Sequence, residues 1–181
     1  EELFRIISKS VDSRLIGDVD IGCFLSGGID SSMIASIASK KSSKKIKTFS
    51  IGFENPKFDE SKIARNISNY IDSEHYEYII SNQELLEFIP EISSATDQPL
   101  ADCSLIPMLA LCKLSSKKVK VCLSGDGADE MFGGYERYRR ALFIEKNIKP
   151  YNFLVLRVLK ILIIFLNKTN YRNKYYDKFL K

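Results

Sequence analysis

Apolar residues gather in four short runs, residues 19–25, 46–52, 75–80 and 119–123, each bounded by Gly, Ser, Asp or Lys and most of them β-branched. Short, mostly apolar runs of that length predict buried strands. Between them the pattern changes to helical spacing. Leu3, Ile6, Ile7, Ser10 and Val11 mark an opening helix, and further helices are predicted over residues 29–41, 60–71, 83–94 and 105–117. Strand alternating with helix predicts a parallel sheet with helices on both faces. Such sheets take their ligands beyond the carboxyl ends of the strands, at a topological switch point.

Two of those strand ends carry dense clusters of Gly, Ser and Asp. Ser26-Gly27-Gly28-Ile29-Asp30-Ser31-Ser32 follows the first run, and Ser124-Gly125-Asp126-Gly127-Ala128-Asp129-Glu130 follows the fourth. In the first, Gly27 and Gly28 allow a sharp turn and close approach to a ligand. Ser26, Ser31 and Ser32 add hydroxyls, and the helix that follows aims its free N–H groups and positive dipole end into the same space. A phosphate chain fits there; so does a tight strand-to-helix turn with a serine cap. The cluster lacks the lysine of the P-loop and does not have the G-x-G-x-x-G spacing of dinucleotide sites.

Composition restricts the class without choosing the chemistry. With 45% hydrophobic and 28% charged residues over 181 positions, the chain is that of an α/β domain with its own core, not of a disordered or fibrous protein. Charge is uneven: residues 1–145 hold 18 basic and 22 acidic side chains, and residues 146–181 hold 9 basic and 1 acidic. The basic tail reads as a solvated face or part of an interface, and nucleic acid is not expected as a partner. Cys23, Cys103, Cys112 and Cys122 show neither C-x-x-C nor zinc spacing, so a reduced, cytoplasmic protein is expected, without a disulfide framework. Residues 153–166 are apolar nearly all round yet too short and too charged to span a bilayer, which predicts a buried helix and, for the piece alone, association into a homo-oligomer or with a partner.

The first cluster resembles the PP-loop, Ser-Gly-Gly-x-Asp-Ser-Ser, of the ATP pyrophosphatase families, and Ser124 to Tyr135 resembles the Ser-Gly-[Asp/Glu]-Gly-[Ser/Ala/Gly]-Asp-Glu-x-Phe-Gly-Gly-Tyr block of the glutamine-hydrolysing asparagine synthetases. Asp97-Gln98-Pro99-Leu100-Ala101-Asp102-Cys103-Ser104, followed by Pro107, is similar to a third segment of bacterial members, bordering the acceptor pocket. The resemblance covers about residues 1–140 and implies a Rossmann-like PP-loop (adenine nucleotide alpha hydrolase-like) α/β fold. It divides the chain into an ATP-binding domain, residues 1–145, and the start of a helical region, residues 146–181.

It also implies a reaction: L-aspartate attacks ATP to form β-aspartyl-adenylate and pyrophosphate, and ammonia from glutamine displaces AMP to give L-asparagine. By resemblance Ser26, Gly27, Gly28, Asp30, Ser31 and Ser32 hold the pyrophosphate, the backbones of Leu25 and Ile51 flank the adenine, and those of Ser124 and Gly125 lie near the ribose. Asp30 and Asp129 match positions that ligate Mg²⁺, although either alone in a Gly-rich loop is more often a turn former, and Asp126 matches the acidic residue tied to adenylate formation. Leu25 and Ile51 read as plain core, which recognition through their backbone permits. His75 is assigned no role.

The resemblance has gaps. A glutaminase domain is expected before Glu1 or in trans, and the family's downstream phosphate-neutralising lysine has no recognisable counterpart in Lys168, Lys174 or Lys178. The chain is therefore expected to be a piece of a synthetase. Other readings stay open: amidation of a uronic acid, peptide or β-amino acid; a non-catalytic ATP-binding remnant; and tRNA thiolation, which the Gly-Gly-Tyr block disfavours.

Overall fold

The computed structural model describes residues 1–98, 100, 102–147 and 157–162, in two compact units, Glu1–Gly127 and Ala128–Lys181. The first holds α1 (Glu2–Arg14), β1 (Ile21–Phe24), α2 (Ile29–Lys41), β2 (Lys47–Phe53), α3 (Ser61–Tyr70), β3 (Glu74–Ile80), α4 (Asn82–Glu87), α5 (Ile89–Ala95), α6 (Leu105–Ser116) and β4 (Val121–Leu123). The four strands form one parallel sheet in the order β3-β2-β1-β4. The chain steps from β1 outward to β3, then returns past β1 to β4. Right-handed crossovers, the rule for parallel strands, put α2 and α3 on one face and, after that reversal, α6 on the other. The switch point therefore falls between β1 and β4.

Each face has its own core. On the first, Cys23 and Leu25 of β1 pack with Val11 of α1, Ala35, Ile37 and Ala38 of α2 and Ala64 of α3. On the second, Phe49 is wholly buried and stacks on Tyr76 at 5.3 Å. Gly22 makes room for it, since a Cβ there would lie 2.7 Å from the Phe49 ring. The small residues Ser61, Ala64 and Ser68 are buried on α3. They allow a polar chain to run beneath that helix, from Ser68 through Ser73 and Thr48 to His75 and Ser50, with contacts of 2.8–3.2 Å.

The predicted strands and helices are present with shifted ends and one break. Val119 is buried but lies outside β4, because its N–H still bonds the carbonyl of Ser115 at the end of α6. The single helix predicted over 83–94 is two helices meeting at Phe88. Pro90 has no N–H to continue the ladder and its ring clashes with the preceding turn, so α4 ends and α5 restarts with Pro90 in its first turn. A capping box, with Ser81 and Glu84 each taking the other's backbone N–H, starts α4.

The second unit opens with α7 (Ala128–Phe132) and α8 (Glu136–Asn147), neither predicted, and residues 157–162 are helical. Gly133, at φ 71°, takes the left-handed position after α7, and the Gly134 N–H returns to the Asp129 carbonyl at 3.0 Å. That is a Schellman stop. Of the buried helix expected over 153–166 only residues 157–162 are described, and they are helical but exposed rather than buried; Lys168, Lys174 and Lys178 lie outside the described residues. Among the described residues no helix is long and apolar enough to cross a membrane.

Candidate functional site

The loop between β1 and α2 is held by its own side chains. Ser26 and Ser31 hydroxyls meet at 2.9 Å, the Ser26 N–H donates to Ser31 Oγ at 3.2 Å, and the Gly28 N–H donates to Ser26 Oγ at 3.1 Å. Ser31 and Ser32 hydroxyls both donate to the Gly28 carbonyl. Gly28 is the N-cap of α2, extended at φ −76° and ψ 154°, and no side chain caps the helix. The first-turn amides and the positive end of the dipole are left for an outside anion.

The loop after β4 meets that first turn. A Cβ on Gly125 would lie 2.8 Å from the Ser31 nitrogen and 3.1 Å from both the carbonyl carbon and the Cβ of Asp30. Only glycine lets the two loops come so close. Ser124 Oγ accepts the Asp126 N–H at 3.4 Å, and Gly127 turns the chain at φ 89°. Asp30 is half-buried and Asp126 exposed, and among the described residues neither carboxylate has a hydrogen-bond or ion-pair partner.

At the neighbouring strand end, the Leu25 N–H donates to the Phe49 carbonyl at 2.8 Å, extending the β1–β2 ladder by one residue. The Leu25 side chain is core, 2% exposed, so only its backbone faces the loop region. Parallel pairing directs alternate residues to the same neighbour, so Ile51, like Phe49, presents its backbone groups toward β1, which by then has turned into its loop.

The turn into α3 contributes a residue that sequence reasoning missed. Glu60 Oε2 accepts the Gly27 N–H at 3.1 Å. A Cβ on Gly27 would lie 3.2 Å from Ile63 and 3.4 Å from Glu60, so this glycine provides room for α3. Beside it Asp59 accepts the Phe53 N–H, the Ser61 N–H and the Ser61 hydroxyl at 3.0–3.3 Å, and the Ser61 bonds hold its carboxyl below the usual range. The only signal available was position: Glu60 follows the carboxyl end of β2, where ligands of such sheets gather.

Asp129 belongs to the second unit, in the first turn of α7. A Cβ on Gly134 would lie 1.8 Å from Asp129 Oδ1, so the Gly133-Gly134 pair both stops the helix and makes room for this carboxylate. Tyr135 donates to Glu130 at 2.7 Å, and the Arg137 guanidinium stacks 4.2 Å over the Tyr135 ring. Among the described residues no group of three or more His, Cys, Asp or Glu side chains is arranged to hold a metal. Mg²⁺ does not need one, because it commonly takes one or two carboxylates and fills its octahedron with phosphate oxygens and water.

In the segment Asp97 to Ser104, Asp102 Oδ1 accepts the Ser104 N–H at 2.9 Å, which lowers the carboxyl's pKa, and the turn leads into α6. Pro99 and Ala101 lie outside the described residues. The four cysteines are free, and burial pushes the Cys23 thiol up to about 12.

The family model described as asparagine synthase matches residues 2–178. Among curated proteins, asparagine synthetase (glutamine-hydrolyzing) 1 of Bacillus subtilis is 40% identical over 163 residues, covering 90% of this chain and 25% of that protein. A putative asparagine synthetase (glutamine-hydrolyzing) of Mycobacterium tuberculosis is 38% identical, with coverage of 85% and 23%. The chain thus spans about a quarter of the length of these relatives. Among solved structures, an NH₃-dependent NAD synthetase from Campylobacter jejuni superposes with TM-score 0.52 at 16% identity, covering 93% of this chain and 86% of that one. At that identity the likeness concerns the fold, which is the PP-loop Rossmann-like arrangement.

Proposed function

The chain belongs to the asparagine synthase family, and on that premise we propose that it carries the ATP-dependent, amide-forming step of an asparagine synthetase. L-Aspartate is activated at its side-chain carboxylate as the β-aspartyl-adenylate with release of pyrophosphate. Ammonia then displaces AMP and leaves L-asparagine. The observation that carries the reading is the approach of Gly125 to the first turn of α2, which joins two Gly-Ser-Asp loops at adjacent strand ends.

In this reading the α2 amides and the Ser26, Ser31 and Ser32 hydroxyls, with Gly27 and Gly28, receive the pyrophosphate. The Leu25 and Ile51 backbones take the adenine, and those of Ser124 and Gly125 the ribose. Asp30 and Asp129 are the carboxylates offered to Mg²⁺, which when bound neutralises charge building on the phosphate oxygens. Asp126, with its carboxylate unengaged, orients the ammonia and accepts its proton. Glutamine is the source of that ammonia, through a glutaminase domain upstream or in trans, and the setting is the cytoplasm. Residues 1–145 form the nucleotide domain and residues 146–181 begin a helical region.

Pyrophosphate release from ATP and Mg²⁺, measured with and without L-aspartate and ammonium in the full chain, tests the proposal. Aspartate-dependent release is expected. Release that ignores aspartate but follows another carboxylate would overturn the substrate, and ATP binding without release under any condition would overturn the catalytic role.

A further inference from the structure

We propose that Glu60 is an internal anion of the pyrophosphate loop, occupying the Gly27 amide when phosphate is absent and competing with pyrophosphate and the ATP phosphates for it. The inference rests on the pyrophosphate reading of the loop. It starts from a bond that links the loop to the β2–α3 turn, from the Gly27 N–H to Glu60 Oε2 at 3.1 Å.

The turn builds this contact from several sides. Gly27 is enclosed by Glu60 and Ile63, whose Cβ atoms lie 3.4 and 3.2 Å from where its own Cβ would be. The Glu60 carbonyl accepts the N–H groups of Ile63 and Ala64 at 3.0 Å, fixing its backbone at the start of α3. Asp59 is tied to Phe53 and to Ser61. A side chain projecting from so constrained a backbone reaches the amide by design of the turn, even though the residue itself is exposed.

The loop's partners differ in what they can do when an anion arrives. Ser26 and Ser31 accept the Gly28 and Ser26 amides, but a hydroxyl can rotate and donate to phosphate without leaving. A carboxylate only accepts, and it brings a negative charge. Phosphate approaching Gly27 therefore meets repulsion from Glu60 and must displace it. The same competition favours departure of product pyrophosphate, since the vacated amide is taken up again. Two like charges about 4 Å apart in a solvated loop change affinity by about fivefold, less as salt screens them.

The test measures binding of inorganic pyrophosphate with Mg²⁺ by calorimetry, at low and high salt, to the full chain and to its Glu60→Gln and Gly28→Val variants. Glutamine keeps an acceptor oxygen for Gly27 and removes the charge. We expect Glu60→Gln to bind pyrophosphate about fivefold tighter at low salt, with the gap narrowing at high salt, and Gly28→Val to lose binding. Affinity in Glu60→Gln equal to or weaker than wild type, with Gly28→Val still abolishing binding, overturns the competition and leaves the pyrophosphate loop standing. Absence of binding in every version overturns the loop reading, and the competition with it.

Discussion

Gly125→Ala is the sharpest perturbation of the arrangement on which the proposed site depends. The added Cβ would lie 2.8 Å from the Ser31 nitrogen, and ordinary contact begins at 3.4 Å, so one loop must retreat by about 0.6 Å. The nearest atoms, the Ser31 nitrogen and the carbonyl carbon and Cβ of Asp30, are all fixed by the backbone at the start of α2, so no side-chain rotation can absorb the change. Overpacking of this kind costs about 1–3 kcal/mol. Alanine also restricts the unfolded chain, which offsets about 0.4–1 kcal/mol. The net loss is about 1–2 kcal/mol, or a fall in Tm of roughly 2–8 °C for a chain of this length. Affinity for ATP should fall by about tenfold, since a displacement of this size separates groups that must grip one ligand. Gly22→Ala is the control. Its Cβ would lie 2.7 Å from the Phe49 ring and 3.0 Å from the Lys47 carbonyl oxygen, inside the sheet and toward the amino end of β1, away from the carboxyl ends where the loops meet. It should lower Tm comparably and leave ATP affinity unchanged, as read by thermal unfolding and isothermal titration. Wild-type Tm and affinity in Gly125→Ala would refute the loop contact, and equal affinity losses in both variants would refute its link to the site.

Asp30→Ala and Asp129→Ala should each abolish Mg²⁺-dependent ATP binding, seen in titrations with and without Mg²⁺; an unchanged Mg²⁺ dependence in either removes that residue from the metal site. His75 provides a pH test. Burial between Thr48 and Ser50 lowers its pKa below the ordinary 6.5, with Glu77 opposing and Arg65 reinforcing the shift. The unfolded chain therefore binds the proton more readily, so stability is full above about pH 6.5 and declines as pH falls toward the depressed value. His75→Gln should flatten that decline in melts run between pH 7.5 and 5.5, and an undiminished slope would assign it to other groups.

Much of the fold was legible because the strands are rich in apolar and β-branched residues and helix-forming segments lie between them, although only the central strands β1 and β2 prove well buried while β3 and β4 are mostly half-buried or exposed. What was not legible lay in single residues. Apolar spacing continues across Leu85, Leu86 and Ile89, so the ladder break imposed by Pro90 was hidden beneath a helical pattern. Gly133 and Gly134 were read as part of a motif, and their local task, stopping α7 and leaving space for Asp129, became visible only through a positive φ and a steric distance. Strand order also needed the structure, since alternation establishes parallel crossovers but not where the chain turns back.

The site divides along the same line, and the division has a physical basis. Ser26 to Ser32 act on one another within a few positions, so their chemistry is compressed into a readable string. The contacts that make the string a site are long-range. Gly125 touches residues 30 and 31, and Glu60 reaches Gly27 across 33 positions. Neither residue type signals such a contact by itself. A glycine near a strand end is as readily a turn, and a glutamate opening a helix is favourable through the dipole alone. What distinguishes them is the parallel sheet, which carries the β1, β2 and β4 ends to one edge and makes residues distant in sequence compete for the same few amides. If Glu60 and phosphate do compete for Gly27, the strength with which this chain grips ATP is set jointly by its motif and by a turn outside it. Substitutions around residues 59–63 should then shift nucleotide affinity while the serines and glycines of the loop stay unchanged.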